Sequence, residues 1–273
     1  MIHFENDYTE GDHIKILERL IETNMVQEPG YGFDQYSERA RDLIKKETNH
    51  EDIDVHFLSG GTQANLTVIA ASLHQYQGVI TADSGHIHNL ETGAIEAVGH
   101  KLLLLPNKDG KIQASQVEER CEAYWTNDAK MHYVQPGMVY ISQPTETGTL
   151  YSKEELTALR NICDNYEMKL FIDGARLGYS LVAETNDLTL EDITNLTDVY
   201  YIGGTKMGAL FGEAVVIRND EIKKGYKSIM KQKGALLAKG RALGFQFEVL
   251  FEDRLYLKLS KQAVNLAMDL KNA

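Results

Sequence analysis

Lys206 stands in Tyr201-Ile202-Gly203-Gly204-Thr205-Lys206-Met207-Gly208, a small-residue turn directly after the apolar run 199–202. A lysine placed there can attack a carbonyl carbon once it is neutral, and a low-dielectric cleft with a nearby cation lowers its pKa. Its glycine neighbours permit a flat ring to come close; the plainer alternative is a solvent-exposed loop lysine. Upstream, Leu170-Phe171-Ile172-Asp173-Gly174-Ala175-Arg176 is another apolar strand, ending in a carboxylate with an arginine three positions on. Asp173 is costly to bury without a cation or donor, and a protonated pyridine nitrogen is one such partner. Arg176 can hydrogen-bond a ring hydroxyl or satisfy Asp173 itself, which leaves an ordinary buried ion pair as the alternative. Further upstream, His56-Phe57-Leu58-Ser59 runs into Gly60-Gly61-Thr62-Gln63-Ala64-Asn65, a strand, a glycine turn and a helix start. Such a turn offers backbone N–H groups and hydroxyls to an anion, or merely connects two elements. No Gly-Lys-Ser/Thr follows, so it is not a P-loop. An aldehyde carbon, a pyridinium nitrogen and a phosphate occur together in pyridoxal 5′-phosphate.

His86 and His88 follow the run 79–82, and two histidines two apart on an extended chain share a face. They can stack on an aromatic ring, serve as a general base or ligate a metal, but no further His/Asp/Glu set with metal spacing accompanies them. Glu91 can orient this region or cap a following helix.

These side chains need a scaffold that brings strand ends together. Apolar runs recur at 55–58, 79–82, 102–105, 138–141, 170–172, 199–202 and 214–217. Continuous rather than alternating apolarity marks strands covered on both faces. Helical patterns at 63–74, 91–98, 114–124, 153–165 and 190–196 separate them, with caps expected at Ser115, Ser152 and Thr189. The alternation predicts an α/β fold, a mostly parallel seven-stranded sheet between helices, with ligands beyond the carboxyl ends of the strands. Gly110 in Lys108-Asp109-Gly110-Lys111 is expected at positive φ in a tight turn. From Leu236 to Lys271 one long helix-compatible stretch is expected, interrupted by Gly240 and Gly244. We expect an N-terminal segment and helix (1–25), a large cofactor-binding domain (26–235) and, as a family resemblance implies, a helix leading to a small domain that is largely absent (236–273).

The 273 residues carry 40 acids against 28 bases, a net charge of −12, which disfavours nucleic acid and anionic membranes. With 43% hydrophobic and 25% charged residues the chain reads as globular, and no window approaches a membrane span. Two cysteines far apart, Cys121 and Cys163, and a start without a signal-peptide pattern lead us to expect a cytoplasmic protein without a disulfide or zinc site.

In this order the motifs resemble the threonine aldolase branch of the β-eliminating lyases, pyridoxal-phosphate enzymes of the aspartate aminotransferase-like fold. The resemblance runs from Phe4-Glu5-Asn6-Asp7 through Gly30-Tyr31-Gly32-Phe33-Asp34, Ser59 to Asn65, His86 with Glu91-Thr92-Gly93, Asp173 to Leu177 and Gly204-Thr205-Lys206 with Gly208-Ala209-Leu210 and Gly212-Glu213-Ala214, to about residue 250. It implies that Lys206 is the Schiff-base lysine and Asp173 the pyridinium partner. It also implies that Arg176 contacts the ring hydroxyl, that Gly61, Thr62 and Gln63 hold the phosphate, and that His86 stacks on the ring. Asn6 falls where the family has a serine near the substrate carboxylate, and Tyr31 in a loop that reaches a neighbouring subunit. Homodimers or homotetramers with shared active sites are implied, acting on a small amino acid. Where the family carries a histidine, this chain has Glu146. The implied activity is cleavage of L-threonine or a related β-hydroxy-α-amino acid to glycine and an aldehyde. Another pyridoxal-phosphate lyase or aminotransferase-like enzyme, or a cofactor-binding chain without turnover, remains the alternative. The base candidates are His86, His88 and Glu146.

Overall fold

The computed structural model describes residues 3–273. Two helices, α1 (Ile14–Thr23) and α2 (Gln35–Thr48), precede β1 (Asp54–Leu58) and α3 (Gly61–Ser72). Next come β2 (Gln77–Ala82), the helical turns α4 (His86–Asn89) and α5 (Ala94–Ala97), β3 (Leu102–Leu105), α6 (Ala114–Trp125) and β4 (Gln135–Ser142). Then follow α7 (Lys153–Asn165), β5 (Lys169–Asp173), α8 (Leu177–Val182), α9 (Leu190–Leu196), β6 (Val199–Gly203) and β7 (Glu213–Ile217). The chain closes with α10 (Asp220–Lys223), α11 (Tyr226–Gln232), α12 (Arg241–Phe251) and α13 (Leu255–Asn272). All seven expected runs are strands. They form one sheet in the order β1-β7-β6-β5-β4-β2-β3, parallel throughout except that β7 runs antiparallel to both β1 and β6.

Both faces are buried, which is why the strands read as continuous apolar runs. One face carries Val55, Ile80, Val139, Leu170, Ile202 and Val216 against the helices on that side. The other carries Leu58, Val79, Tyr140, Phe171, Tyr201 and Val215 beneath α3 and α11. The parallel order aligns the carboxyl ends of β1, β2, β4, β5 and β6, and reversal of β7 brings its first residue, Glu213, to that same edge. Among the described residues no helix is long and apolar enough to cross a membrane.

Capping expectations hold at α7, where Ser152 and Glu155 cap reciprocally, and at α9, where Thr189 and Asp192 do. At α6 the cap lies earlier than Ser115: Gln116 Oε1 accepts from the Gln113 N–H at 2.8 Å, so the helix starts at Ala114. Gly110 has a φ of 81° in its turn. The expected helix 91–98 is broken, because Thr92 and Gly93 both sit at positive φ and leave only α5. Helix α2 has no counterpart among the expected helices. Its composition is polar, and Asp34 caps it through Ser37 N at 2.8 Å.

The C-terminal stretch is two helices. Asp253 and Arg254 adopt left-handed φ of 51° and 55° between α12 and α13 and break the path. Nine of the eleven residues of α12 are buried, and Arg19 of α1 and Arg39 of α2 both meet its buried Glu248, so α12 is part of the main core. Gly244 is no interruption either. It lies inside α12 where a Cβ would fall 2.1 Å from Ser37 Oγ and 2.7 Å from Ser37 Cα. Alanine gains about 1 kcal/mol in helix propensity over glycine, whereas overpacking against backbone costs roughly 1–3 kcal/mol or more. Gly244→Ala is therefore expected to lower the urea midpoint; a raised midpoint would show that α2 and α12 separate freely.

Candidate active site

The aligned strand ends surround a cleft of about 300 Å3 lined by residues from the glycine turn, the aspartate strand end and the lysine turn, and by His86 and Glu146, with Gly61, Thr62, Asp173, Arg176 and Lys206 among them. At its floor Asp173, the last residue of β5, is 5% exposed. Its Oδ1 accepts from the Ala175 N–H at 3.0 Å and from Tyr201 Oη. Its Oδ2 accepts from Tyr140 Oη at 2.5 Å and Asn65 Nδ2 at 3.0 Å. All four partners are neutral donors, which suits an acceptor-only carboxylate. The ion pair with Arg176 that the sequence left open is not formed. Gly174 allows this crowding, since a Cβ there would lie 1.9 Å from the Tyr201 carbonyl oxygen.

Arg176 instead turns to the N-terminal segment, donating from Nε to Asp7 Oδ2 at 2.6 Å and from a terminal nitrogen to Asp7 Oδ1 at 3.1 Å. This two-bond pair fastens residues 6–8 over the cleft. Burial opposes ionisation of Asp7, but the Arg176 hydrogen bond and the charges of Lys206 and Arg176 hold its carboxyl below the usual range. The Lys206 ammonium stands 6.0 Å from the centre of the Tyr8 ring, and Tyr179 Oη donates to the Lys206 carbonyl at 3.0 Å. Burial first, then the Arg176 charge, push the Lys206 pKa down, against Asp7, Asp173 and Glu213. That is the direction a nucleophilic amine requires.

Helix α3 begins at Gly61 without a side-chain cap, and its first intrahelical donor is Ala64 N, to Gly60 O at 3.0 Å. The N–H groups of residues 61–63 thus precede the ladder at the positive end of the helix dipole, and the cleft opens onto them. Gln63 is turned back on the turn, its Oε1 accepting from Ser59 Oγ at 2.7 Å, and its side chain does not line the cleft.

His86 and His88 do not share a face. They lie in the helical turn α4, not on an extended chain, so His86 lines the cleft while His88 is exposed elsewhere. His86 Nδ1 is 2.7 Å from Oε1 of buried Glu91, whose same oxygen accepts from Asn65 Nδ2 at 2.7 Å. Asn65 thereby links the histidine's partner to Asp173. Glu146 Oε1 accepts from His86 N at 2.8 Å and Ser142 Oγ at 2.7 Å, placing this carboxylate at the cleft wall.

Two expected residues lie away from the cleft. Asn6 accepts from Tyr8 N at 2.9 Å, a local turn that directs Tyr8, not Asn6, to the cleft. Tyr31 has a φ of 60° and its ring lies 4.7 Å from Lys231 Nζ, beside a separate small cavity. Sequence reasoning missed Asp7, Tyr8, Asn65, Tyr140, Tyr201 and Glu213. Asp7, Asn65, Tyr201 and Glu213 lay inside quoted motifs without a role of their own, whereas Tyr140 looked like an ordinary strand residue.

The Glu91 hydrogen bond, opposed by burial and helped by the Asp173 charge, raises the His86 pKa. Glu91→Gln removes the negative partner, so the His86 titration followed by NMR is expected to move down; an unchanged midpoint would mean that Glu91 does not control it.

A family model described as Beta-eliminating lyase matches residues 14–269. A low specificity L-threonine aldolase from Pseudomonas aeruginosa is 30% identical over 249 residues, 89% of this chain and 70% of that protein. The Leishmania major threonine aldolase structure superposes with a TM-score of 0.94 at 46% identity, covering 98% of this chain and 77% of that one. Aspartate aminotransferase from Thermus thermophilus, at 13% identity and a TM-score of 0.71 over 96% of this chain and 68% of that one, shares the fold. With Lys206, Asp173 and the α3 amino end gathered in one cleft of this fold, the chain belongs to the β-eliminating lyase family and is a pyridoxal-phosphate-type lyase resembling threonine aldolase.

Proposed function

We propose that this protein binds pyridoxal 5′-phosphate in the cleft and cleaves L-threonine, or a related β-hydroxy-α-amino acid, between Cα and Cβ to glycine and an aldehyde. The observation that carries this reading is the pairing of a half-buried, pKa-lowered lysine with a buried aspartate whose four donors are all neutral. A buried carboxylate with neutral donors on both oxygens can still hold a cationic ring nitrogen, and the uncapped start of α3 suits a phosphate. When bound, the cofactor supplies the electron sink for carbon–carbon cleavage.

In this reading Lys206 would hold the cofactor at its aldehyde carbon, Asp173 would keep the ring nitrogen protonated, and Gly61, Thr62 and Gln63 would offer backbone N–H groups to the phosphate. His86, held by Glu91, would cover the ring, and Arg176, its direction fixed by Asp7, would serve the ring hydroxyl. Glu146 takes the proton from the substrate β-hydroxyl. Its Oε1 is held by His86 N and Ser142 Oγ, leaving Oε2 as the proton acceptor. We also propose a homo-oligomer, supported by the exposed Tyr31 and Phe33, which lie beside Lys231 and Lys227 and carry the loop that the family extends to a neighbouring subunit. Asn6 near the substrate carboxylate belongs to the same proposal and requires its side chain to leave Tyr8 N. Two buried free cysteines, both with raised pKa, fit a reducing cytoplasm.

Purified protein given pyridoxal 5′-phosphate is expected to show a visible absorption band and to release glycine and acetaldehyde from L-threonine. Lys206→Ala is expected to lose both; retention of band and turnover would remove the proposal, and a keto acid product would redirect it to elimination or transamination. Glu146→Gln is expected to keep the band while kcat falls about 10²–10⁴-fold, the usual span for a lost general base. Unchanged kcat would assign the proton to another group. Light scattering is expected to give a multiple of 30.7 kDa, and a monomer would remove the shared-site proposal.

A further inference from the structure

Glu213 is the first residue of β7, paired with Leu58 at the end of β1 on one side and Gly203 at the end of β6 on the other. Directly beyond those two partners lie the glycine turn 59–62 and the lysine turn 204–206. One carboxyl thus stands between the two turns. Strand alternation puts its side chain on the same face as Val215, beneath α3, with Tyr201. There a Cβ on Gly61 would lie 3.1 Å from Tyr201 Oη. Glu213 is only 4% exposed and still lines the cleft.

Its two oxygens are used unequally. Oε1 accepts from Thr205 Oγ1 at 2.9 Å, and that hydroxyl accepts in turn from Gly212 N at 3.0 Å. Oε2 lies 3.2 Å from Gly204 N, but the same N–H has a closer acceptor in Gly212 O at 2.9 Å. Oε2 is therefore the oxygen that can carry a proton and donate it. An anion at the 59–62 turn makes ionisation of this buried carboxyl still more costly, because like charges in one cleft favour the neutral form. The cations of the cleft are otherwise engaged: Arg176 with Asp7, His86 with Glu91, and Lys206 lowered toward neutrality.

We propose that Glu213 is protonated when the cofactor's phosphate occupies the 59–62 turn and donates a hydrogen bond from Oε2 to that phosphate, so that anion binding is linked to proton binding. This inference rests on the cofactor reading above. Burial foremost, with Asp173, pushes the Glu213 pKa up to about 8, against Thr205, Gly204 and Lys206. The titratable groups acting around it are Asp173 from β5, Lys206 from the turn, Tyr201 from β6 and Tyr256 from α13. Burial raises both tyrosines, so neither ionises in the range where Glu213 does. The sign follows from a raised pKa: without the anion the donor is present below about 8 and is lost as pH rises through that value, and a bound anion moves that loss to higher pH.

The test measures binding of inorganic phosphate, pyridoxal 5′-phosphate and pyridoxal to cofactor-free protein at pH 7 and pH 9. A group titrating near 8 is about tenfold less protonated at the higher pH, so the affinity of the wild type for phosphate is expected to fall about tenfold beyond any fall seen in Glu213→Gln. Glu213→Gln, which keeps a neutral donor, is expected to match the wild type at pH 7. Pyridoxal, which lacks the phosphate, should not distinguish the two proteins. An identical pH dependence in both proteins overturns the inference, and so does an equal effect on pyridoxal, which would place Glu213's action on Lys206. If Glu213→Gln does not fold, proton uptake on phosphate binding at pH 8.5 in Lys206→Ala decides: uptake supports the inference and its absence overturns it. No phosphate or pyridoxal 5′-phosphate binding by the wild type at pH 7 removes the cofactor reading as well; binding without a Glu213 effect removes only this one.

Discussion

The site depends on one buried carboxylate that is solvated by the protein instead of neutralised by it. Asp173 takes donors from β4, β6, α3 and the peptide that follows it, so four elements converge on two oxygen atoms. A neighbouring arginine would satisfy the charge at lower cost and leave nothing for a ligand. Neutral donors offset desolvation while keeping the negative potential in the cleft, where a cationic ring can use it. Asn65 extends this arrangement, since its two amide hydrogens reach Glu91 and Asp173 and join the histidine wall to the floor.

That convergence requires the strand ends to approach more closely than side chains normally allow. Gly174 supplies the approach at the end of β5, because any Cβ there would collide with the Tyr201 carbonyl. Antiparallel β7 supplies the rest. Its reversal places a residue from the start of a strand among residues from the ends of others, and Glu213 enters the cleft by that route. Lys206 sits between the two effects, on a turn whose Thr205 hydroxyl donates to Glu213 and whose own carbonyl is held by Tyr179.

Local pattern carried the strands and the single-residue motifs well. All seven strands were legible because burial on both faces leaves an unbroken apolar run, and Lys206, Asp173, His86, Gly61 and Thr62 were legible because each stands at a strand end or helix start. What local pattern could not carry was pairing over distance. Asp7 and Arg176 are separated by 169 residues, and nothing near Arg176 marks it as engaged by the N-terminus instead of by Asp173. Tyr140 and Tyr201 are indistinguishable in sequence from core aromatics until their hydroxyls are seen on one carboxylate. Helix α2 was missed for a related reason: its apolar face is narrow, with Ala40 and Ile44 as its buried hydrophobic residues, so the polar surface masks the period. The 253–254 break shows the reverse case, a helix-compatible stretch interrupted by two left-handed residues that are neither glycine nor proline.

Charge in the cleft is arranged by pairs, and this arrangement adds to burial, the larger cause, in lowering the Lys206 pKa. Asp7 is held by Arg176, Glu91 faces His86, and Glu146 is bound by a backbone N–H and a hydroxyl. Each acid thereby has its own partner, and Lys206 is not needed to balance any of them through a direct ion pair. Had Arg176 paired with Asp173, Asp7 would have been left beside Lys206 with no competing cation, and a carboxylate near an amine favours the ammonium form. The N-terminal segment therefore does more than cover the site. By engaging Arg176 it keeps a positive charge near Lys206 and leaves Asp173 open, two conditions that a nucleophilic lysine and a bound cationic ring both require.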